Sequence, residues 1–123
     1  MMPQPNDLVP KWVLGLLNNL FEIEKKIEMS SEHSNLKRNV DRMKELLADQ
    51  KVFFENPMGE RFSETRTDLE ATITGTGTDD LRVIDVIKPI IRFGDRALSR
   101  VVQKGIVVVE STQNQSEKGE SNV

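Results

Sequence analysis

The sequence predicts an α+β fold: an N-terminal helical region, either a coiled coil or a helical hairpin, followed by a small antiparallel β-domain. Three observations predict it. From Val13 to Leu47 apolar residues recur at spacings of three and four, the mark of a helical seam. From Asp68 to Thr74 polar and apolar residues alternate, as in a half-buried strand. From Leu81 to Val109, Val and Ile crowd into two runs joined by Gly94-Asp95-Arg96, a turn signal. The chain is therefore divided into a helical dimerisation region over 1–50, a β-domain over 51–110 and a disordered tail over 111–123.

The first nine residues are polar and Pro-rich, with Asn6 or Asp7 as a helix cap and Pro10 near the first turn. The first seam runs through Val13, Leu16, Leu20, Ile23 and Ile27, and Leu17 and Phe21 widen it. A polar stretch, Ser30 to Asn35, separates it from a second seam at Leu36, Val40, Met43 and Leu47. The two seams are out of phase. The nine residues from Ile27 to Leu36 turn the face by about 180° at ~100° per residue. Either the helix breaks near Ser30, with Ser31 or Ser34 as the new cap, or one rod about 60 Å long buries two faces. Neither seam is expected to be covered by so small a β-domain. Leu16, Leu20, Ile23, Ile27, Leu36, Val40, Met43 and Leu47 are therefore assigned to a homodimer interface.

Lys51 to Glu55 fits a short strand or a helix end. Asn56-Pro57-Met58-Gly59 is a turn signal. Leu69, Ala71 and Ile73 share one face of the next strand, and Gly75 to Asp80 forms a loop. Pro89 lacks a ladder donor, so the strand breaks there or lies at an edge. Ser111 to Val123 is polar and low in complexity.

Composition narrows the function. Net charge is −3, which supplies no general drive towards nucleic acid. No apolar run reaches the roughly 18 residues that cross a bilayer. Prolines and Asp7 stand ahead of the first apolar segment, where a signal peptide would carry positive charge, so no export is expected. The chain has no cysteine, hence no disulfide or thiolate metal site, which fits the cytoplasm.

Catalytic chemistry finds little to use. The one histidine, His33, lies in a polar stretch and reads as an exposed helix or loop residue. Asp79-Asp80 reads as a solvated turn pair. Gly75-Thr76-Gly77 lacks the Lys-Ser or Lys-Thr of a phosphate loop. No enzyme, metal site or cofactor is expected. Arg92, Arg96, Arg100 and Lys104 cluster in the last hairpin, as a charged edge that blocks sheet-to-sheet pairing or as a face for an acidic partner.

Three segments resemble a known family. Asn56-Pro57-Met58-Gly59-Glu60-Arg61-Phe62 resembles the Asn-Pro-x-Gly-x-x-Phe segment that leads into the β-domain of GrpE, the nucleotide exchange factor of DnaK-type chaperones. Val83 to Lys88 is similar to that family's Val-x-x-Val-x-Gln/Lys strand. Arg100 to Val109 resembles its closing Arg-x-Leu-Arg-Pro-Ala-x-Val-x-Val. Here Pro89-Ile90-Ile91 stands where the family has Gly-Tyr, and Gln103 and Lys104-Gly105 stand where it has the second Arg and Pro-Ala. The resemblance implies a homodimer whose β-domain docks on the chaperone ATPase domain and opens its nucleotide cleft. It assigns Arg100, Val109, Ile87 and Lys88 to that contact. The competing expectation is a dimeric adaptor that displays its β-domain to another protein without exchange activity.

Overall fold

A computed structural model describes residues 8–30 and 35–112. Helix α1 spans Lys11–Met29. Pro10 precedes it with φ −59°, a helix-compatible angle that its ring imposes, and its carbonyl accepts from the Val13 and Leu14 amides at 3.0 and 3.3 Å. Among the described residues no side chain caps this end; Asn6 and Asp7 lie outside them. The helix stops where Ser30 turns extended, at φ −89° and ψ 146°. Helix α2 spans Asn35–Asp49, so the helical region is two helices and not one rod. Ser31, His33 and Ser34 lie outside the described residues. Leu20, Ile27 and Val40 form a buried cluster between the helices, and the Lys44 ammonium donates to Glu24 at 2.9 Å.

Among the described residues six strands follow: β1 (Val52–Glu55), β2 (Leu69–Thr74), β3 (Leu81–Lys88), β4 (Ile90–Phe93), β5 (Arg100–Gln103) and β6 (Gly105–Ser111). They form two three-stranded sheets, ordered β1-β4-β5 and β2-β6-β3. Lys51 to Glu55 thus resolves as a strand, and Leu69–Thr74 forms β2, in which Leu69 is buried and Ala71 half-buried while Ile73 is exposed. Ser111, expected in the tail, is the last residue of β6, and residues 113–123 lie outside the described residues. The expected all-antiparallel domain needs one correction. β2 pairs parallel to β6, with Leu69 opposite Gly105 and Thr74 opposite Glu110. The cause is the Gly75–Asp80 loop. It crosses the exit of β6, so β2 and β3 flank β6 and do not pair with each other. The crossing covers two strand spacings, about 10 Å, which six residues span easily. The loop is stitched to what it crosses: Ser111 Oγ donates to the Asp79 carbonyl at 2.6 Å and the Thr112 amide to the Asp80 carbonyl at 3.2 Å.

The two Val- and Ile-rich runs form one long hairpin that bends and changes sheet halfway. β3 pairs antiparallel with β6 and β4 with β5, and the bends fall at Pro89 and Lys104. Pro89 cannot donate to a ladder, so the strand ends on both sides of it. Gly105 sits where the two arms cross. A Cβ there would lie 2.8 Å from Leu69 Cδ2 and 3.0 Å from Ile90 Cγ1. A side chain there would press on Leu69 and Ile90, which would have to shift to admit it. The corner is also tied to α1: Asn18 and Gln103 exchange amide hydrogen bonds at 3.0 and 2.9 Å, and Gln103 Nε2 donates to the Pro89 carbonyl at 3.1 Å.

The core does not respect the division at residues 50 and 51. Phe21 from α1 is buried with Leu69, Leu81, Val83, Val86, Ile90, Val107 and Val109. Val13 and Leu17 are buried with Val52, Ile91 and Val102. Helices and strands therefore share one interior, because Leu17 and Phe21 turn the wide side of the α1 stripe onto the sheets. The segment resembling Asn-Pro-x-Gly-x-x-Phe lies along β3. Asn56 Oδ1 accepts from the Met58 amide at 3.1 Å and Gly59 takes φ +82°, so the chain turns. The Gly59 and Phe62 amides then donate to the Val83 and Leu81 carbonyls, and Val83 donates back to Glu60.

Candidate functional site

The four residues assigned to a partner contact do not form one patch. Arg100 is exposed at the start of β5, an edge strand, and pairs with no acid among the described residues. Ile87 and Lys88 are exposed at the end of β3. Arg100 stands opposite Phe93, at the end of β4 away from Lys88. Val109 corrects the expectation: it is 0% exposed within the β-core. It lies on the buried side of β6, whose alternate residues Gly105, Val107, Val109 and Ser111 all face inward. A residue in that place packs the fold.

The basic cluster also divides. Arg92 serves the fold: it pairs with Glu55 across β1 and β4, and with Asp68 at 3.5 Å. Arg66 grips the same carboxylate with two parallel hydrogen bonds of 3.0 and 2.9 Å and reaches Glu60 at 3.1 Å. These bonds from Arg66 hold the Asp68 carboxyl below its ordinary range, against a lesser upward push from burial, and the charges of Arg66 and Arg92 add to the effect. The folded chain therefore binds this proton less readily than the unfolded chain. The resulting stability is present above the unfolded value, near 3.8, and is lost as pH falls through the depressed folded value. Asp68→Asn should lower stability at neutral pH by about 1–2 kcal/mol. The gap from wild type should close as urea melts are taken below pH 3.8. A pH-independent gap would show that the carboxylate charge is not the cause.

The β4–β5 turn, residues 94–99, is built from below. The Gly94 amide donates to the Lys51 carbonyl at 2.7 Å, and Lys51 pairs with Asp95, whose hydrogen bond raises the lysine pKa. The Leu98 amide closes the turn on the Asp95 carbonyl at 3.0 Å. Gly94 has φ +129°, and a Cβ there would come within 2.9 Å of the Leu98 carbonyl oxygen. Arg96 lies over the Phe53 ring, 5.2 Å from its centroid. Leu98 projects with 85% of its surface exposed. Sequence reasoning stopped at Gly94-Asp95-Arg96 and missed this leucine. Its only signal is one large apolar side chain in a short turn.

The residues assigned to dimerisation fall into two groups. Leu20, Ile27 and Val40 are buried within the chain, which corrects the expectation that neither seam could be covered without a partner. Leu47 is half-buried against the same interior. Leu16, Ile23, Leu36 and Met43 remain exposed, and so do Trp12, at 71%, and Leu46. At ~100° per residue, Trp12, Leu16 and Ile23 fall beside Leu20 and Ile27 and away from Phe21. Leu36, Met43 and Leu46 lie opposite Asp41 and Glu45, which line a groove of about 300 Å³ with Phe53, Phe54 and Arg96. Both helices thus keep an apolar stripe on the side turned away from the sheets.

Among the described residues no cluster of His, Asp or Glu is arranged to hold a metal ion, and no helix is long and apolar enough to cross a membrane. Compared with family models, curated proteins and solved structures, the chain matches none.

Proposed function

We propose that this chain is a GrpE-type co-chaperone, a nucleotide exchange factor that docks its β-domain on the ATPase domain of a DnaK-type chaperone. The observation that carries the proposal is Arg100. It opens an edge strand, faces solvent and has no acid engaged among the described residues, while Arg92 nearby is held by Glu55 and Asp68. A guanidinium so placed is available for paired hydrogen bonds to a partner carboxylate. The order of two helices before a small β-domain agrees with the three-segment resemblance.

In this reading α1 and α2 are an antiparallel hairpin, and two hairpins meet through their outward apolar stripes. The β-domain binds the open nucleotide cleft better than the closed one. ADP then leaves faster because the open state is more populated, and no bond is made or broken by the factor. The compartment is the cytoplasm. No cofactor, nucleic acid or membrane is part of the proposal.

Fluorescent ADP-analogue release from a DnaK-type chaperone tests it. Wild type should accelerate release. Arg100→Ala should raise the concentration needed about 30-fold or more, as expected for a lost interfacial charge pair worth ~2–5 kcal/mol. One observation favours the adaptor reading. Val109, one of the positions the resemblance assigns to the partner, is core, and Gln103, which stands in place of the family's second Arg, is engaged within the fold by Asn18 and Pro89. No acceleration at saturating protein would leave the adaptor reading in place of the exchange factor.

A further inference from the structure

We propose that the Arg96-Ala97-Leu98 tip of the β4–β5 hairpin is the specificity anchor of the docking surface. Its counterpart is a leucine-sized apolar pocket, rimmed by carboxylates, on the partner protein. This rests on the exchange-factor reading and names the contact made beside Arg100.

A single exposed leucine is ordinary on a protein surface. Three features set Leu98 apart. First, its backbone is fixed. Lys51 holds the turn through its carbonyl to Gly94 and its ammonium to Asp95, and Leu98 itself bonds back to Asp95. A side chain 85% exposed on a fixed turn loses little loop entropy when it is buried. Second, the residues that flank it in the sequence leave a cationic excess. Asp95 is neutralised by Lys51, which leaves the guanidiniums of Arg96 and Arg100 on either side of Leu98 in the sequence. In a chain of net charge −3 this is a local reversal. Third, Arg96 is placed in advance by its seat over Phe53. A pocket that covers Leu98 must offer acceptors to both arginines, and carboxylates match their planar geometry. A bilayer is the lesser fit, because the tip would lend it one large apolar side chain.

The full chain is tested for release of a fluorescent ADP analogue from the ATPase domain of a DnaK-type chaperone, as wild type, Leu98→Ser and Arg96→Gln. Leu98→Ser should raise the half-maximal concentration roughly 10- to 100-fold, as for one lost buried leucine, with an unchanged melting curve. Arg96→Gln should weaken binding and flatten its dependence on salt. If wild type accelerates release and Leu98→Ser does so at the same concentrations, the tip assignment falls and the exchange reading stands. If wild type does not accelerate release, the exchange reading falls and takes the tip with it. A melting shift of several degrees in Leu98→Ser would make the leucine structural and also overturn the assignment.

Discussion

Phe21→Ala should come close to unfolding the whole chain, although Phe21 lies on a helix and most of its neighbours are strands. Its ring is 1% exposed and packs edge-on against Phe54, with centroids 5.8 Å apart and planes at 80°. Beneath it lie Val83, Val86, Ile90, Val107 and Val109, drawn from β3, β4 and β6. Truncating a buried phenylalanine removes its transfer free energy and leaves a cavity, together about 3–5 kcal/mol. A domain of this size holds only about 5–15 kcal/mol in all. The aromatic pair adds about 0.5–1.5 kcal/mol beyond area burial, and the Lys25 ammonium, 5.3 Å from the Phe21 ring centroid, loses its seat as well. Urea melts followed by circular dichroism should show helix and strand signals lost together, at a much lower midpoint. A fragment of residues 51–112 should for the same reason fail to fold cooperatively. A sharp transition from that fragment, or a loss under about 1 kcal/mol in Phe21→Ala, would mean that the strands carry their own core.

The second large effect is on assembly. Leu16→Glu combined with Leu36→Glu should halve the mass measured by light scattering. Both side chains are exposed in the single chain, so the fold should tolerate the change within about 0.5 kcal/mol. In the proposed dimer both enter an apolar interface, where unpaired carboxylates carry a heavy desolvation cost. The two stripes together offer six large apolar residues: Trp12, Leu16, Ile23, Leu36, Met43 and Leu46. Leu20→Asp is the wrong test, since Leu20 is 3% exposed and its loss would unfold the chain before it reported on association. A wild-type monomer at tens of micromolar, or a double variant of wild-type mass, would remove the dimer from the proposal.

The legible parts of this fold were those written in short-range chemistry. Alternation over Leu69–Thr74, the proline at 89 and the Gly94 turn each act within a few residues, and each was realised as a strand, a break and a turn. Val109 misled because a branched apolar residue at the end of a Val-rich run fits either a core or a contact. Burial decides between them, and burial depends on what α1 and β3 place against β6. Arg92 and Arg100 are the same residue type in one hairpin. Nothing local reveals that Asp68, 24 residues earlier, claims the first, while the second engages no acid among the described residues.

Local propensity and periodicity were enough to establish two helices' worth of seam, a β-rich second half and the punctuation between them. They act through backbone dihedrals and neighbouring side chains, so a linear reading recovers them. Non-local closure settled the rest. The loop that passes over the end of β6 made one pairing parallel, the close crossing at Gly105 joined the sheets, and Leu17 and Phe21 merged helix and strand interiors. Those outcomes depend on which distant surfaces meet, and residue spacing along the chain does not encode that meeting directly.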